Sequence, residues 1–241
     1  MRFDADRIDG AVRALAWHDD GTGPALYVGG DFTQVDSPLA AGRIARLTAS
    51  GWSPLGVGFD ATVRALAVHD DGTGSALYAG GDFTTAGGQP AAAVARWNGT
   101  VWEAVGAGLP GSVRTLSVFD SGSGPALFAG GSTFLARWDG AAWQMIASGL
   151  NGAVHALAVF DSGSGPGLIA GGDFTSIGGI SAARIARYSG SSWAALGSGV
   201  SATVYALATN GSGAGSSLYV GGAFTMAGGT TRLRAARWTG T

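Results

Sequence analysis

Five side chains able to bind or transfer charge, Arg13, Arg64, Arg114, His155 and Tyr205, each directly follow a valine that opens an apolar stretch. Guanidinium, imidazole and phenol groups brought to one place would hold an acidic or hydroxyl-rich ligand by charge-assisted hydrogen bonds and ring contacts. If the strands that carry them line a central channel, the five form a ring near one mouth and are the candidate ligand-binding residues. The competing reading is a solvated rim. The inventory for catalysis is thin. Only His18, His69 and His155 are available, the first two in equivalent positions, and no serine or carboxylate is placed by spacing to work with them. No catalytic residue, metal site or cofactor is expected.

Two motifs invite chemistry and fail on context. Gly106, Gly108 and Gly111 spell G-x-G-x-x-G, but an apolar strand pattern follows where a dinucleotide site needs a helix N-terminus. The turns at Asp19, Asp70, Asp120 and Asp161 offer one or two carboxylates each, too few for a calcium loop, and read as Asx turns. Other residues recur at fixed phase: Asp31, Asp82 and Asp173 in "GGDF"; Arg46, Arg96, Arg137, Arg187 and Arg237 in "AR"; Trp52, Trp102, Trp143 and Trp193. An Asp and an Arg within one repeat could share a charge-assisted bond, though Ser132 and Ala223 replace the Asp where the Arg is kept; the arginines are assigned structural roles, bonding carbonyls or the neighbouring repeat. The tryptophans are assigned to the core, against a sugar-stacking alternative, because a large aromatic repeated in place is worth most when buried.

The elements that position these residues follow from an internal repeat. Stretches such as "VRALAWHDDGTG" begin at Val12, Val63, Val113, Val154 and Val204, spaced 51, 50, 41 and 50 residues apart. A full copy reads as four short strands joined by turns, among them "NGT", "DGA" and "SGS", whose glycines supply the positive φ of a hairpin. The third copy lacks most of the loop between its second and third strands. Small antiparallel sheets, apolar on both faces, predict an all-β five-bladed β-propeller. It forms one domain over residues 1–241, with repeats at 12–62, 63–112, 113–153, 154–203, and 204–241 completed by 1–11. The last copy stops before its fourth strand, so residues 1–10 are expected to close it, with Ile8 at the place held by Phe59, Leu109, Leu150 and Val200. The match is partial, as Met1 stands where a Trp belongs. That phase predicts a monomer or an oligomer formed through the open edge, and a chain excised from a longer array or assembled from repeat fragments.

With 44 glycines, no cysteine, no lysine and a formal charge of −2, the chain lacks the basic footprint of a nucleic-acid binder and the thiols of a disulfide scaffold. No apolar run is long enough for a membrane helix, and sequons at Asn98 and Asn210 matter only for a eukaryotic secreted product. The pattern "GGDFT.AGG … ARW.G..W..LG.G" over residues 12–241 resembles the glycine-rich propeller repeats of bacterial secreted surface proteins and of the fungal cortical cell-polarity marker family, and is distantly similar to kelch repeats. The resemblance implies an extracellular or surface scaffold without a shared catalytic set. Two functions follow: a non-enzymatic module binding a glycan, peptide or surface polymer, or a propeller enzyme acting on a polysaccharide or small molecule at the channel mouth.

Overall fold

The computed structural model describes residues 7–240 apart from 37, 164, 212 and 214, and every regular element among them is a β-strand. The chain divides into two compact units, 1–113 and 114–241.

The first unit holds two four-stranded antiparallel meanders: Val12–Asp19, Pro24–Gly30, Ile44–Thr48, Gly51–Pro54, then Val63–Asp70, Ser75–Gly81, Val94–Trp97, Trp102–Ala104. Tyr27 and Ile44 of the first sheet pack with Val63, Leu77, Trp97 and Trp102 of the second. The second unit repeats the pattern, in a sheet whose first strand begins at the last residue of the first unit, Val113–Asp120, Pro125–Gly131, Leu135–Trp138, Trp143–Met145, and in Val154–Asp161, Pro166–Gly172, Ile185–Tyr188, Trp193–Ala195. Its last sheet has three strands, Val204–Thr209, Leu218–Gly222 and Ala235–Trp238. Apolar clusters fill the spaces between successive sheets of this unit.

The repeated glycine pair has a steric reason at each member. A Cβ on Gly29 or Gly171 would strike Val63 or Val204 of the following sheet, and one on Gly30 or Gly172 would strike the carbonyl of Ala11 or Ala153. The first glycine therefore lets the next sheet approach, and the second lets the chain cross beneath the start of its own inner strand.

The stretch read from sequence as a plain loop carries a second, smaller hairpin. Thr85–Ala86 pairs with Gln89–Pro90, and the same ladder recurs at 176–181 and 226–231. Gly87 and Gly88 have φ of 59° and 79°, the two positive values a type I′ turn needs, which explains the "AGG" spelling. The third sheet passes from Gly131 to Leu135 without this hairpin, as its shorter sequence requires.

Residues 1–6, on which a closing strand would depend, lie outside the described residues. Ile8 does hold its expected phase: it bridges Val35 as Phe59 bridges Ala86 and Val200 bridges Ala227. Among the described residues, exposure differs between equivalent positions of the sheets. On the first sheet Leu15 and Trp17 are 61% and 68% exposed, whereas Leu66 and Val68 at the same positions pack on the core. On the last sheet Tyr219 is 42% exposed, although its counterparts Tyr27, Tyr78, Phe128 and Ile169 are all 0%.

Candidate functional site

The backbone singles out the candidate residues before their chemistry does. In four sheets the ladder between first and second strands slips by one residue, between Val12 and Ala14, Val63 and Ala65, Val154 and Ala156, and Val204 and Ala206. Arg13, Arg64, His155 and Tyr205 are the extra residues of these β-bulges, a geometry that unpairs a residue and re-aims its side chain. The carbonyl before each valine is engaged below it: Ala11, Thr62, Ala153 and Thr203 accept the amides of Asp31, Asp82, Asp173 and Ala223.

In the first unit both bulge arginines are neutralised. Arg13 Nε donates to both Asp31 oxygens at 2.9 Å, and Arg64 grips Asp82 through Nε at 2.7 Å and Nη2 at 2.6 Å. The same carboxylates reach forward, accepting the hydroxyls of Thr62 and Ser112 just before the next inner valine. Arg13, above all, holds Asp31 down to about 2 against the opposing effect of burial, with Thr62 assisting. The "GGDF" aspartate therefore pairs with the bulge residue of its own repeat and staples it to the next, rather than with the "AR" arginine as the sequence suggested. Strand order explains this: the end of the second strand lies beside the start of the first, and the "AR" arginine projects farther along the sheet.

In the second unit the same position is unequal. His155 Nε2 lies 2.8 Å from Asp173, which also accepts the Thr203 hydroxyl at 2.6 Å. Burial, the largest influence on Asp173, acts to raise its pKa, but the bonds from Thr203 and His155 and the charge of Arg114 together hold it below the usual carboxylate range. The Tyr205 ring stands 5.8 Å from the His155 ring and is 59% exposed. In the third repeat Ser132 replaces the aspartate, and Arg114 Nε is buried without a hydrogen-bond partner. Among the described residues Arg114 forms no salt bridge, in contrast to Arg13 and Arg64. His155, Asp173 and Tyr205 thus stand together, and the charge of Arg114 reaches Asp173.

The "AR" arginines serve the turns instead. Arg46 bonds Asp20 at 3.2 Å and the Thr22 hydroxyl, and Arg96 bonds the Thr73 hydroxyl at 2.8 Å. Where the turn reads "DSGSG", Arg137 reaches Ser123 at 3.4 Å and Arg187 bonds the carbonyls of Gly165 and Pro166. Arg237 is exposed. Asp19, Asp70, Asp120 and Asp161 each accept two glycine amides of their own turn, which is the Asx geometry. Trp102 is buried, Trp52 and Trp193 pack against core clusters, and Trp143 pairs with Trp138 at 5.4 Å between centroids.

One recurring set escaped sequence reading. Asp9, Asp60, Asn151 and Ser201, each three residues before an inner valine, accept the amides at 33 and 34, 84 and 85, 175 and 176, and 225 and 226. They cap the small hairpin of the following repeat. The signal was available: Pro110 takes this place before the third repeat, the copy without the hairpin.

Residues 168–191, spanning the second and third strands of the fourth sheet, match the family model described as "Domain of unknown function (DUF5122) beta-propeller". No curated protein matches the chain. The match supports a β-propeller repeat, in keeping with the four-stranded antiparallel meanders within each unit.

Proposed function

We propose that this β-propeller is a non-enzymatic binding module whose second unit recognises an acidic group on a glycan or peptide through Arg114, His155 and Tyr205. One observation carries the reading: Arg114 holds the repeat position of Arg13 and Arg64, but Ser132 stands where their aspartate partners stand. A guanidinium that makes no direct ion pair with a carboxylate gains most from an anionic ligand. Tyr205 supplies an exposed ring beside it for a sugar or side chain to rest on. An extracellular setting, proposed from the sequence resemblance alone, would suit such binding.

Calorimetric titration with a polyuronate oligosaccharide, a sulfated oligosaccharide, an acidic peptide and a neutral glucan tests it. An anionic probe is expected to bind, with affinity falling as salt rises. Arg114→Ala should weaken binding about tenfold or more, whereas Arg187→Ala should not. Equal binding by wild type and Arg114→Ala overturns the assignment.

A second reading rests on the 2.8 Å His155–Asp173 bond, which would orient an imidazole for proton abstraction. It requires turnover of a glycoside or ester that His155→Gln abolishes. A ligand bound without turnover leaves the binding module standing.

A further inference from the structure

Every asparagine of the chain, Asn98, Asn151 and Asn210, is followed by glycine. That pair favours attack by the chain on itself: with no Cβ on the second residue, its amide nitrogen is unhindered in reaching the side-chain carbonyl carbon of the first. Asn210 opens a loop partly outside the described residues, whereas the surroundings of Asn98 and Asn151 lie wholly within them.

Asn98 is exposed at the turn between the third and fourth strands of the second sheet. Its Oδ1 accepts the amides of Thr100 and Val101, each at 2.9 Å, and its Nδ2 donates to Glu103 at 2.6 Å. Two backbone N–H groups on one carbonyl oxygen are the donor pair that stabilises an oxyanion, here the one formed when the Gly99 nitrogen adds to Cγ. Gly99 has room to turn: a Cβ built on it would meet a single atom within 4 Å, the Asp20 carbonyl oxygen at 3.1 Å. Asn151 has the same donor pair, from Thr175 and Ser176 at 2.8 and 2.9 Å, but its glycine is held. A Cβ on Gly152 would lie 2.8 Å from the Phe174 nitrogen and 3.0 Å from the Asp173 carbonyl carbon, so this peptide cannot turn without displacing 173–174.

We propose that Asn98 is a self-modifying site, converted in the folded chain to aspartate and isoaspartate while Asn151 is preserved. The Gly99 nitrogen forms a bond to Asn98 Cγ and gives up its proton, the Cγ–Nδ2 bond breaks, and ammonia leaves with that proton. Water then opens the resulting succinimide at either carbonyl. The third repeat shows what the product disturbs. Asp139 holds the same turn position, accepts the amides of Ala141 and Ala142, and takes a further bond from Gln144 Nε2 at 3.1 Å. Asn98 with Glu103, and Asp139 with Gln144, each join one donor to one acceptor. Conversion of Asn98 sets two carboxylates against each other, with Arg96 at 3.3 Å from Glu103 as partial relief, and weakens the hairpin that pairs Trp97 with Trp102. This site shares no residue with the proposed anion site.

The chain has no lysine, so trypsin cleaves after arginine and places the three asparagines in separate peptides, 97–114, 138–184 and 188–232. The intact chain is held for days in mildly alkaline buffer, with and without urea, and the peptides are followed by mass spectrometry. Asn98 is expected to convert about tenfold or more faster than Asn151 in the folded chain, and at a comparable rate in urea. Equal rates in the folded chain, faster conversion of Asn151, or a difference that persists in urea overturns the proposal. Thermal melts give a second measurement: Asn98→Asp should lower the melting temperature by a few degrees, and adding Glu103→Gln, which restores one donor to one acceptor, should recover it. An unchanged melting temperature for Asn98→Asp overturns the effect on the hairpin.

Discussion

The second sheet and the last are written in the same repeat but differ in one strand. In the second, Trp102 closes the outer end of the core at 4% exposure, and Tyr78 is fully buried. In the last, three strands lie among the described residues, Trp238 is half-buried, and Tyr219 is 42% exposed. Turns and bulges are nonetheless alike in both, since the slip between Val63 and Ala65 recurs between Val204 and Ala206. Local sequence therefore builds each meander, and what covers it decides how much each side chain contributes.

The largest test of that difference is the tryptophan pair. Trp102→Ala is expected to cost about 3–5 kcal/mol, the range for truncating a buried large aromatic. Trp238→Ala should cost about 1–2 kcal/mol, as roughly half of its surface gain is realised. Urea unfolding measures both, and equal losses would mean that the last sheet is covered in solution. A tyrosine pair sharpens the point from the opposite faces. Tyr78→Ser removes a fully buried ring and a 2.9 Å bond to Asp71, for about 3 kcal/mol. Tyr219→Ser should stay within about 0.5 kcal/mol, as surface changes do.

The hairpin caps come next. Asp60 accepts two amides and the Thr84 hydroxyl, and these bonds hold its pKa below the usual range although burial, the largest influence, acts to raise it. Asp60→Ala should cost about 1–2 kcal/mol in thermal melts, and Ser201→Ala, with two amide contacts and no charge, about 0.5–1 kcal/mol. The loss at Asp60 should shrink as the carboxylate is protonated in acid.

How far sequence carried the argument varies with range. The repeat, the meander and the Asx turns follow from chemistry within a few residues, so "NGT" and "DSGSG" were legible. The bulge was not, because a one-residue slip leaves no mark on a continuous apolar run, and without it the partner of Asp31 was misassigned. Placing Arg13 beside Asp31 needs the register of two strands, 18 residues apart. The caps were missed for a similar reason: Asp60 acts on amides 24 and 25 residues away, in the next repeat. The unpaired state of Arg114 was half legible, since Ser132 showed the aspartate missing but not that the aspartate was the arginine's partner.

The smallest effect uses pH to separate the same two sheets. His69 is 5% exposed and packs 5.8 Å from the Tyr78 ring, a place taken by Phe119 and Phe160 in later repeats and by exposed Asn210 in the last. Burial, the dominant influence, lowers the His69 pKa from its ordinary 6.5, with the charges of Asp71 and Asp70 partly opposing. Between the folded value and 6.5 the unfolded chain therefore binds the extra proton, and stability falls as pH falls through that window before levelling off. His18, buried against Tyr27, adds a step of the same sign. His69→Phe, which borrows the residue of the third and fourth repeats, should raise the melting temperature by a few degrees below pH 6.5 and flatten its acid slope, for an effect of about 1 kcal/mol or less. Asn210→Phe should leave that slope unchanged, because no titrating group is removed from the exposed counterpart. If both variants shift the slope alike, the acid response belongs to the chain as a whole rather than to the covered sheets.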